Sequence, residues 1–71
     1  MKNDYFENKV VTRMCTLLRA QKAAAAQGDT ETANHFGDKL DGFMDALHCT
    51  LSGSYIAHLV TLANEKIEAE G

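Results

Sequence analysis

The sequence predicts an all-α fold, a small antiparallel three-helix bundle built as a helical hairpin plus a third helix. Three observations predict it. Proline is absent from the 71 residues and alanine is frequent, a composition that suits helices and gives strands little support. Two short glycine-containing segments, Gln27-Gly28-Asp29-Thr30 and Leu51-Ser52-Gly53-Ser54, interrupt the chain with cap-forming residues. Between these breaks, apolar residues recur at helical spacing in three stretches.

Helix 1 is expected over about residues 5–27. Asp4 with Glu7 three positions on has the spacing of a capping box, with aspartate replacing the usual serine or threonine. The run Ala23-Ala24-Ala25-Ala26 is strongly helix-forming and allows close helix contact. Gly28 suits the left-handed position just past a helix end, and Asp29 or Thr30 can cap the next helix. A tight turn of this kind makes helices 1 and 2 antiparallel neighbours. Helix 2 is expected over residues 30–48, with Glu31 in a first turn whose dipole favours an acid. Helix 3 follows at about residues 55–69, capped by Ser52 or Ser54. Residues 1–71 then form one domain, with no internal repeat or linker.

The faces of these helices differ. On helix 2, Ala33, Phe36, Gly37, Leu40, Phe43, Met44 and Leu47 form a stripe about 120° wide, as one core-facing side requires. Gly37 within that stripe predicts a close helix crossing. On helix 1, Phe6, Val10, Val11, Met14, Cys15, Leu17 and Leu18 fan over roughly 180°, wider than a single packed face. Helix 3 presents Ile56, Leu59, Val60, Ala63 and Ile67, with Tyr55 and Leu62 broadening the face. A chain this short buries only about 60% of its unfolded surface, and such domains often add disulfides, metals or oligomerisation. The surplus therefore predicts an oligomer, since exposed apolar patches mark interaction sites. Its expected interface is Phe6, Val10, Val11, Met14 and Leu18 of helix 1 with Tyr55 and Leu62 of helix 3.

The net charge of −3 is unevenly spread. Residues 1–28 hold Lys2, Lys9, Arg13, Arg19 and Lys22 against Asp4 and Glu7, while residues 29–71 hold Lys39 and Lys66 against eight acids. On helix 2, Glu31, Asn34, Asp38, Asp41, Asp45 and His48 form a polar stripe beside the apolar one. Antiparallel pairing about Gly28 sets Arg19 level with Asp38, Arg13 near Asp45 and Lys9 near His48. The asymmetry is then mostly internal, through pairs contributing ~0–1 kcal/mol each.

Signatures of chemistry are missing. Cys15 and Cys49 are too few for a disulfide scaffold and are expected as buried free thiols. His35, His48 and His58 are scattered, and Asp45 with His48 makes only half of a carboxylate–histidine metal set. Cys49 directly beside His48 rarely gives nucleophile–base geometry, and no glycine-rich phosphate loop is present. No enzyme activity, metal or cofactor is expected. The first nine residues carry acids where a signal peptide needs an apolar stretch, and no apolar run approaches the length of about 18 that a membrane span needs. A soluble cytoplasmic protein is the expectation.

The function expected is non-enzymatic, stoichiometric binding by an adaptor, regulator or inhibitor, in the manner of small acidic helical proteins of phages and mobile elements. It would act as a homodimer or higher oligomer, with or without a protein partner. An alternative is a small anionic, nucleotide-like ligand bound at Ser52, Gly53, Ser54 and Tyr55, where helix 3 begins, with Arg13 or Arg19 of another subunit. A DNA-associated regulator is the third reading. It is disfavoured because helix 1 spreads its cations around the helix and helix 3 carries only Lys66.

Overall fold

The computed structural model describes residues 4–70, which form α1 (Asp4–Ala26), α2 (Thr30–His48) and α3 (Gly53–Glu70). No strand occurs among the described residues. The capping role expected of the Asp4 side chain lies outside what is described. No described helix is long and apolar enough to cross a membrane.

The α1–α2 turn is built as its residues dictate. Gly28 adopts φ +77°, its amide donates to Ala25 O at 3.0 Å, and the Asp29 amide donates to Ala24 O at 2.9 Å. This is a Schellman closure, which satisfies carbonyls the helix end would otherwise leave free. Asp29, rather than Thr30, caps α2: its carboxylate accepts the Thr32 amide at 3.1 Å, and its carbonyl accepts the Ala33 amide at 3.0 Å. The hydrogen bonds Thr32 donates, from its hydroxyl and then its amide, hold the Asp29 carboxyl below the usual carboxylate range.

At the second turn Ser52 is the cap, and α3 consequently begins two residues earlier than its apolar pattern implies. The Ser52 hydroxyl accepts the Tyr55 amide at 3.2 Å and its carbonyl accepts the Ile56 amide at 3.0 Å. Gly53 and Ser54 thereby occupy the first helical turn. The Leu51 amide closes back on Leu47 O at 2.8 Å, and the Leu51 side chain packs on the core.

Three contacts define how α3 meets α1. The Tyr55 hydroxyl donates to Glu7 Oε2 at 2.7 Å, the Cys15 thiol to Ala63 O at 3.5 Å, and the Arg19 guanidinium to the Glu70 carboxylate. Residue numbers rise together on both helices, so α1 and α3 run parallel, with α2 antiparallel to α1. The core joins Val10, Val11, Met14, Cys15 and Leu47 to Ile56, Leu59 and Ala63, and Leu59 and Ala63 are wholly shielded.

α1 is the central helix, and this corrects the expected division of faces. It packs against both neighbours, while α2 and α3 touch each other far less. Its broad apolar arc is therefore occupied within one chain, and Val10, Val11 and Met14 are core residues at 6%, 3% and 1% exposure. They are not available to an outer interface. α2 has the opposite outcome: of its seven-residue stripe only Leu47 is buried, because one neighbour covers most of it. Gly37 meets α1 through the end of the Gln21 side chain.

Candidate functional site

The charged groups meet differently from the hairpin pairing. Among the described residues the ion pair is Arg19 with Glu70, the guanidinium gripping both carboxylate oxygens through Nε and a terminal nitrogen. The pairs Arg19–Asp38, Arg13–Asp45 and Lys9–His48 do not form. Helical geometry explains the first of these. Gln21 marks the flank of α1 facing α2, and Arg19, two residues earlier, points about 200° around the helix. The hydrogen bond to Arg19 and that residue's charge lower the Glu70 pKa, and the same contact raises that of Arg19.

The α2 polar stripe, Glu31, Asn34, Asp38, Asp41, Asp45 and His48, is solvent-exposed throughout. Asp41, Asp45 and His48 border a shallow depression beside Gly42 and Met44. Among the described residues no three His, Cys, Asp or Glu side chains gather as metal ligands would. Cys15 is buried as expected, but Cys49 is exposed: it ends α2 with its thiol toward Asp45 O at 3.6 Å.

The turn proposed for an anion is largely engaged in its own fold. The Ser52 hydroxyl caps α3 and lies 3.4 Å from that of Ser54. The Tyr55 hydroxyl is directed to Glu7, and its ring stacks on His58 with centroids 6.3 Å apart. Arg13 is exposed on α1. Arg19, bound to Glu70, sits at the opposite end of α3, about 27 Å along the helix. Gly53 leaves open space where a side chain would stand.

Of the expected interface, Phe6 (40% exposed) and the half-buried Leu18, Tyr55 and Leu62 retain accessible surface. Leu62 lines a groove of about 350 Å³ between α1 and α3. Glu7, Asn8 and Val11 form its α1 wall, and Leu62, Glu65, Lys66 and Ala69 its α3 wall. One exposed aromatic lies outside the apolar pattern. Tyr5 is 77% exposed, with the Lys9 ammonium 5.6 Å from its ring centroid. Its signal in the sequence was an aromatic on the polar side of helix 1, away from the apolar arc.

No protein-family model matches the chain, and no curated protein or solved structure shows significant similarity to it.

Proposed function

We propose that this protein works by stoichiometric binding, as a small non-enzymatic adaptor, regulator or inhibitor, and that it does so as a homo-oligomer. The observation that carries this reading is the incomplete cover of α2. Ala33, Phe36, Leu40, Phe43 and Met44 are only half-buried, although all lie on the stripe that a closed bundle would seal. Leu18, Val60 and Ile67 of the other two helices are likewise half-buried. Surface of this kind gains free energy by association, about 25 cal/mol per Å² of apolar area removed from water.

Native mass spectrometry tests the proposal. A defined oligomer at micromolar concentration is the expected result, and a strict monomer throughout that range would contradict it.

A further inference from the structure

We draw no further inference here: the strongest candidate, the row of exposed acids Asp38, Asp41 and Asp45 along the half-buried apolar stripe of α2, belongs to the face already assigned to self-association, and nothing in the structure shows what else would cover it.

Discussion

Gln21 of α1 lies over Gly37 of α2, its side-chain nitrogen 3.0 Å from the position a methyl group would take on that glycine. The glycine leaves room for the end of that side chain, but it lowers intrinsic helicity by about 1 kcal/mol relative to alanine. Gly42, on the exposed side of the same helix, has open space at the equivalent position.

These two glycines should respond differently to one substitution. Gly42→Ala is expected to stabilise the protein by about 0.5–1 kcal/mol through helix propensity alone. Gly37→Ala gains the same propensity but must displace the end of Gln21, leaving a net change within about 0.5 kcal/mol. Chemical denaturation measures both, and equal gains would show that the crossing does not constrain Gly37.

The centre of the fold should tolerate little. Leu59 is completely shielded and Met14 is 1% exposed. Leu59→Ala is expected to cost about 2–5 kcal/mol, comparable to the ~3–5 kcal/mol a core of this size supplies. Met14→Glu buries a carboxylate with no partner and should abolish the helical circular dichroism signal rather than release folded subunits. A folded Met14→Glu protein would contradict the central placement of α1.

Stability should fall in acid by a defined route. Asp29 and Glu70 both have pKa values lowered in the fold, by Thr32 and by Arg19 respectively. A depressed carboxylate contributes stability above its unfolded pKa and loses it as pH falls through the folded value. The loss should therefore begin near pH 4 and continue below it. Thermal melts between pH 7 and 2.5 should show a smaller acid-induced loss for the Asp29→Asn, Glu70→Gln double variant than for wild type. An equal loss would contradict the assignment.

The two thiols should be distinguishable by access. Cys15 is 1% exposed, whereas Cys49 is exposed at the end of α2. Brief treatment of the native protein with an alkylating reagent should add one group, at Cys49, and denaturation should admit the second at Cys15. Peptide mapping checks this, and rapid native labelling of Cys15 would contradict its place in the core.

Much of the backbone was legible because it is set locally. Gly28 and Asp29 prescribe their turn through one left-handed residue and one cap, and the bounds of α2 follow. Either Ser52 or Ser54 could have capped α3, and only the hydrogen bond to Tyr55 distinguishes them. Face assignment was less legible. Apolar width on helix 1 reads equally as surplus or as room for two neighbours, and the parallel docking of α3 decides for the second. The same docking draws Arg19 away from Asp38 to Glu70, a residue 51 positions distant that no local pattern connects to it. The groove between α1 and α3 is likewise a product of two helices meeting, so neither helix sequence displays it alone.

Native mass spectrometry of the wild-type protein over a micromolar dilution series is the most direct measurement of how this chain associates. The expected result is a defined oligomer whose population falls on dilution. A strict monomer at every concentration would contradict it.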